Sequence, residues 1–161
     1  MLMNALTEEE IQVLIEALDD EYMAYATYAQ VIEDFGPIRP FINICEAEGR
    51  HINALLALFE RYGLPIPDNT WPGRIDRYAS PDAACKAGVE AEIANGEMYE
   101  RLIRNVQKSD IVTVLKNLQE ASQLRHLPAF QRCVERGTNG PRQPRGGHRG
   151  AGRGRRQQCG K

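Results

Sequence analysis

A chain of 161 residues is long enough for one domain with a sizeable core. It has no apolar run able to span a membrane and no basic-then-apolar start of the signal-peptide kind, so a cytoplasmic domain without a membrane partner is expected. The net charge of −2 conceals an asymmetry: residues 137–161 carry seven Arg and Lys and no acid, leaving 13 basic against 22 acidic side chains before them.

Four long helices are predicted between residues 7 and 136, and no segment alternates as a strand would. The first opens on the capping box Thr7-Glu8-Glu9-Glu10 and ends at Gly36-Pro37. The second runs from about Pro40 to Gly63, with Pro65 beyond. Ser80-Pro81-Asp82 starts the third as an N-cap followed by proline, and the fourth runs from Asp110 to Gly137.

Short connections make helices one and two, and helices three and four, antiparallel hairpins. The 18 residues "GLPIPDNTWPGRIDRYAS" between the pairs reach about 60 Å when extended. A helix of some 25 residues is roughly 38 Å long, so the linker can cross the bundle from end to end. The expected fold is all-α: a four-helix bundle of two antiparallel hairpins joined by one long crossover, a connectivity for which ferritin-like folds are the standing example.

The core stripes then raise a conflict. Helix two places Phe41, Ile44, Glu48, His51, Leu55, Leu58 and Tyr62 on one face. Helix one gives Ile11, Leu14, Leu18, Glu21, Tyr25, Tyr28, Ile32 and Phe35; helix three gives Cys85, Gly88, Glu92, Asn95, Tyr99, Leu102 and Val106. Each stripe carries a carboxylate near mid-helix, where burial of a charge is costly unless something compensates it. Arg50 and Glu46 lie off the stripe of helix two, and neither of the other stripes offers a basic partner. A lone ExxH is common and a core carboxylate often pairs with Arg, but three converging acids call for a bound cation. Glu48 and His51 share one face of one turn, and their mixed oxygen and nitrogen donors suit iron or manganese.

The pattern repeats internally. "EYMAYATY" of helix one and "EIANGEMY" of helix three both read Glu-x6-Tyr, and His51 and His126 each precede a Glu-Arg pair by nine residues. Aligning helix two with helix four requires one extra residue before Arg125, and the stripe of helix four slips in step: Ile111, Leu115, Leu118, Ser122, then His126, Phe130 and Cys133. One residue inserted in a helix predicts a π-bulge, and Pro128 disturbs the same turn by freeing the carbonyl of Leu124.

Glu21, Glu48-x-x-His51, Glu92 and His126 on successive helices resemble the di-iron site of the ferritin-like superfamily, with rubrerythrin-type spacing. More narrowly, "AEGRHINALLALFERYGLPIPDN" and "LQEASQLRHLPAFQRCVERG" resemble an uncharacterised family of small bacterial ferritin-like proteins. The resemblance implies two iron ions, or iron with manganese. Glu21 and Glu92 would be terminal carboxylates, Glu48 the bridge, and His51 and His126 would each cap one metal. The family pattern places Glu three residues before the second histidine, where this chain has Gln123. Glu120 is the nearest carboxylate, but it stands about 120° from His126 unless the bulge rotates it.

Such a centre implies reduction of peroxide or dioxygen, or oxidation of ferrous iron, in iron handling and oxidative stress. The alternatives are a non-catalytic metal-binding or iron-storage protein, or nucleic-acid binding through the basic tail. Tyr25, Tyr28 and Tyr99 read first as core aromatics and second as partners of the metal shell. Cys45, Cys85, Cys133 and Cys159 form no CxxC pair, so a rubredoxin-type electron donor is absent, the reductant is external or ferrous iron itself, and buried thiols rather than disulfides are expected. Residues 1–137 are read as the bundle and 138–161 as a Gly/Arg-rich tail, with His148 and Cys159 as adventitious metal donors. A homodimer and a weak nucleic-acid contact of that tail complete the expected partners.

Overall fold

The computed structural model of the protein describes residues 5–138. The tail from 139 onward, with His148, Cys159 and the expected nucleic-acid contact, lies outside the described residues. Helix α1 spans Glu8–Phe35, α2 Phe41–Arg61, α3 Pro81–Arg104 and α4 Ser109–Ala121. A π-helical turn over Ser122–His126 leads without a break into α5, Leu127–Thr138. No strand occurs among the described residues, and none of their helices is long and apolar enough to cross a membrane.

Local chemistry sets the helix ends. The Thr7 hydroxyl accepts from Glu10 N–H at 3.1 Å, while Glu10 Oε1 accepts from Thr7 N–H at 3.1 Å. The other oxygen of Glu10 accepts from the N–H groups of Gln107 and Lys108 at 3.2 and 3.3 Å, tying this cap to the α3–α4 turn. Helix α2 closes with a Schellman pair, Leu64 N–H to Phe59 O and Gly63 N–H to Glu60 O. Gly63 at φ 62° supplies the left-handed residue that this closure needs. Ser80 caps α3 through Ala83 N–H at 3.1 Å, with Pro81 next.

Side-chain pairs fix the directions. Going up α1, the partners on α3 descend: Glu16 meets Arg101, Glu21 meets Tyr99 and Tyr28 meets Glu92. His51 of α2 approaches Glu21, while Cys45 reaches the Tyr25 carbonyl. Tyr62 and Arg61 bond Asp110, while His126 lies against Glu48. Helix α1 is therefore antiparallel to α2 and α3, and α2 is antiparallel to the α4–α5 rod. The crossover runs along α1, with Trp71 donating to Asp19 and Arg77 to Asp34.

Two apolar clusters fill the interior. One holds Leu14, Leu18, Leu55, Phe59, Tyr99, Leu102, Ile111 and Leu115. The other holds Tyr28, Val31, Phe41, Ile44, Cys85 and Phe130. On every helical rod the candidate ligands fall between the residues of one cluster and those of the other, so a polar layer crosses the middle of the bundle.

Two expectations are corrected. Cys85 and Cys133 form a disulfide, with Cα atoms 6.0 Å apart, while Cys45 alone stays a free, buried thiol among the described residues. Forty-eight residues separate the pair in sequence, and only the docking of α5 on α3 brings them together, which is why spacing gives no sign of it. The cysteine argument for a reducing compartment goes with it. Tyr25 is 40% exposed rather than in the core; its ring lies at the edge of the α1–α2 contact, over Gly49.

Candidate metal centre

Each helical rod delivers its ligands to the polar layer for a local reason. Glu48 and His51 leave α2 one turn apart on its inward face. Glu21 and Glu92 occupy matching positions on α1 and α3, each seven residues before its tyrosine. On the fourth rod the π-turn, closed by Leu127 N–H to the Ser122 carbonyl, keeps both Ser122 and His126 facing inward.

The result is two triads with a shared member. Glu21, Glu48 and His51 present donor atoms within 4.8 Å of one another, and so do Glu48, Glu92 and His126. Glu48 divides its oxygens between them: Oε2 lies 2.9 Å from His51 Nδ1, and Oε1 lies 3.2 Å from His126 Nδ1. The outer carboxylates stand back at 3.5 Å, Glu21 from His51 and Glu92 from His126. The two imidazoles stack with centroids 5.5 Å apart.

The outer carboxylates are themselves held. Tyr28 of α1 donates to Glu92 Oε1 at 3.0 Å, and Tyr99 of α3 donates to Glu21 Oε1. Ser122 donates to Glu92 Oε2 at 2.5 Å. Tyr28 and Tyr99 thus act as hydrogen-bond partners of the triads while also belonging to the apolar clusters.

Glu21, Glu48, Glu92 and His126 are all at least 96% buried. Burial and the neighbouring Glu48 push Glu21 well above the usual carboxylate range, partly offset by Tyr99. Burial opposes charge on Glu48 too, but Glu21, His126 and His51 outweigh it and hold this carboxyl well below its ordinary value. Burial alone would lower His126, yet Glu48 and Glu92 raise it to about 9. Asp20 is raised to about 6, chiefly by burial, with Asn95 donating to it in opposition. Among the described residues one buried side-chain atom stays unmatched: His126 Nδ1 has no aligned hydrogen-bond partner, although two carboxylates lie near it. An acceptor-rich shell with an unaligned imidazole nitrogen suits a cation better than it suits hydrogen bonding within the protein.

Glu21, Glu48, His51, Glu92 and His126 are brought together as the sequence spacing predicts. The two helix-four candidates are not among the donors. Glu120 is exposed on the outer side of α4, because the extra residue of the π-turn lies beyond it and cannot rotate it inward. The Gln123 amide instead donates to the Glu92 carbonyl at 2.7 Å and to the Ser122 hydroxyl, packing over Gly96. Ser122, rather than Glu120 or Gln123, is the fourth-rod side chain that bonds the Glu92 carboxylate. Its position in the stripe is legible in the sequence, but its role depends on the distance between helices. Asp20, half-buried beside Glu21, lies off the stripe, so periodicity does not point to it.

A cavity of about 280 Å³ opens between α1, α3 and the crossover and reaches Tyr28, Glu92 and Asp20. Ala84, Ala87, Gly88 and Ala91 of α3 leave the room for it.

Fold and site together define an all-α helical bundle with two Glu/Glu/His groups that can hold metal. Among known proteins, the chain is 26% identical over 144 residues to the uncharacterised protein MJ0754 of Methanocaldococcus jannaschii, covering 80% of this chain and 77% of the relative. The crystal structure of the hypothetical protein MJ0754 from Methanococcus jannaschii matches with a TM-score of 0.73 at 26% identity, over 84% of this chain and 85% of that one. No family model matches the chain.

Proposed function

We propose that this chain is a ferritin-like four-helix bundle holding two metal ions, iron or iron with manganese, and that it reduces peroxide or dioxygen, or oxidises ferrous iron, as part of iron handling under oxidative stress. The observation that carries this reading is the pair of triads sharing the buried Glu48. Glu21 and His51 would hold one ion, Glu92 and His126 the other, and the two oxygens of Glu48 would serve one each. Bound as a pair, two such ions supply two electrons together, which matches the two-electron reduction of peroxide.

The residues around the site have work of their own. Tyr99 and Tyr28 fix the orientation of the outer carboxylates, and Ser122 fixes the second oxygen of Glu92. At His126 and Glu21, whose affinity for a proton is raised, a bound cation would compete with that proton. The two apolar clusters keep bulk water from both ends of the layer. The cavity beside Glu92 gives an approach far wider than the roughly 30 Å³ that one water-sized molecule takes up in the liquid.

Anaerobic titration with ferrous iron tests the reading. About two equivalents should bind to the wild type, followed by a near-UV absorbance change on adding peroxide, and Glu48→Ala should lose both. Retention of neither iron nor manganese after anaerobic reconstitution would overturn it.

A further inference from the structure

The disulfide lies on the same helical stripes as the candidate metal ligands. Cys85 precedes Glu92 on α3 by seven residues, and Cys133 follows His126 on the fourth rod by seven. Seven residues make almost two full turns, so each cysteine sits on the face of its ligand, about 10 Å along the axis. Both helices joined by the bridge serve one triad, that of Glu92 and His126. Phe130 packs between the two places. A Cβ on Gly88, one turn after Cys85, would meet its ring at 2.7 Å, and its centroid lies 5.3 Å from that of Tyr28. The Tyr28 hydroxyl in turn donates to Glu92. Cys85 is fully buried, whereas Cys133 is half-buried and so the more exposed of the two.

We propose that Cys85 and Cys133 are a built-in two-electron donor for the metal centre, cycling between dithiol and disulfide; this rests on the reading of the centre given above. The balance is complete with peroxide as oxidant. The S–S bond forms, the O–O bond breaks, two electrons pass from the two sulfurs to the two oxygens, and both thiol protons leave in two waters. An external dithiol then attacks Cys133, releases Cys85 and restores the pair by thiol–disulfide exchange. Cys45, buried beside the Tyr25 carbonyl, is not within this pair.

The test uses the full chain, reduced, freed of excess reductant under anaerobic conditions and loaded with ferrous iron. Peroxide is titrated in, then thiols are alkylated and the Cys85 and Cys133 peptides weighed. The wild type should consume about two equivalents of peroxide per centre, one for the metal pair and one for the dithiol, with the disulfide appearing in step; Cys85→Ser/Cys133→Ser should consume about one. The disulfide should form at least tenfold more slowly in metal-free protein and in Glu48→Ala, whose helix content is checked by circular dichroism. A centre that reacts with peroxide while the thiols stay reduced, or a disulfide that forms equally fast without metal, marks a structural bridge only and overturns the proposal. If peroxide leaves the ferrous protein unchanged, the reading of the centre falls, and this proposal with it.

Discussion

Tyr99 of α3 donates its hydroxyl hydrogen bond to Glu21 of α1, although Glu21 has a tyrosine of its own seven residues along. That tyrosine, Tyr28, crosses in the other direction to Glu92. The two Glu-x6-Tyr repeats therefore exchange partners, and each orienting tyrosine serves the triad anchored by the opposite helix. Tyr99→Phe should weaken the site of Glu21 and His51, while Tyr28→Phe should weaken that of Glu92 and His126. Each change deprives a buried carboxylate of a donor and should destabilise the fold by about 1–3 kcal/mol in chemical denaturation. Titration of one metal against two will show which triad each substitution affects.

Removing the shared ligand and removing an outer one should differ in stoichiometry. Glu48→Ala takes a carboxylate from both triads, whereas Glu21→Gln takes one from a single triad. The first should abolish tight binding of both ions. The second should leave about one equivalent, with affinity for the other reduced at least tenfold. Isothermal calorimetry under anaerobic conditions separates the two cases.

The metal-free protein should lose stability as pH rises. Asp20 titrates near 6 against an ordinary 3.8, and His126 near 9 against 6.5, so the folded form binds both protons more tightly than the unfolded chain. Stability from Asp20 is complete below pH 3.8 and lost as pH rises through about 6. That from His126 is complete below 6.5 and lost through about 9. Glu21, also raised, acts in the same direction. Glu48 is depressed and acts oppositely, adding stability above the usual carboxylate range that is lost only in strong acid. Thermal melts between pH 6 and 9 should show a falling Tm without metal. The stabilisation by added metal should grow over the same range, because the cation replaces displaced protons.

Gly88 tests the packing between disulfide and site. An added Cβ would overlap three atoms of the Phe130 ring, which is fully buried. Gly88→Ala should cost about 1–3 kcal/mol in urea denaturation. At Gly96 the same change meets only the end of the Gln123 side chain, so Gly96→Ala should be milder.

Much of the site is legible in the sequence alone. Periodicity places Glu21, Glu48, His51, Glu92 and His126 on inward faces, and the one-residue slip before Arg125 locates the π-turn found over Ser122–His126. These features are local. A helix turns by a fixed angle per residue, so the sequence alone decides what shares a face and where an inserted residue shifts that face.

What only the tertiary structure decided depends on distances between helices. The Cys85–Cys133 bridge, the tyrosines crossing between Glu21 and Glu92, and Ser122 standing beside Glu92 in place of Glu120 or Gln123 are all contacts between separate helices. Tyr25, on the right stripe by number, falls outside the core because packing against α2 leaves its ring at the rim. Helical phase is written into the chain, whereas the depth and rotation at which two helices meet come from side-chain volumes filling the space between them, and no single helix contains that information.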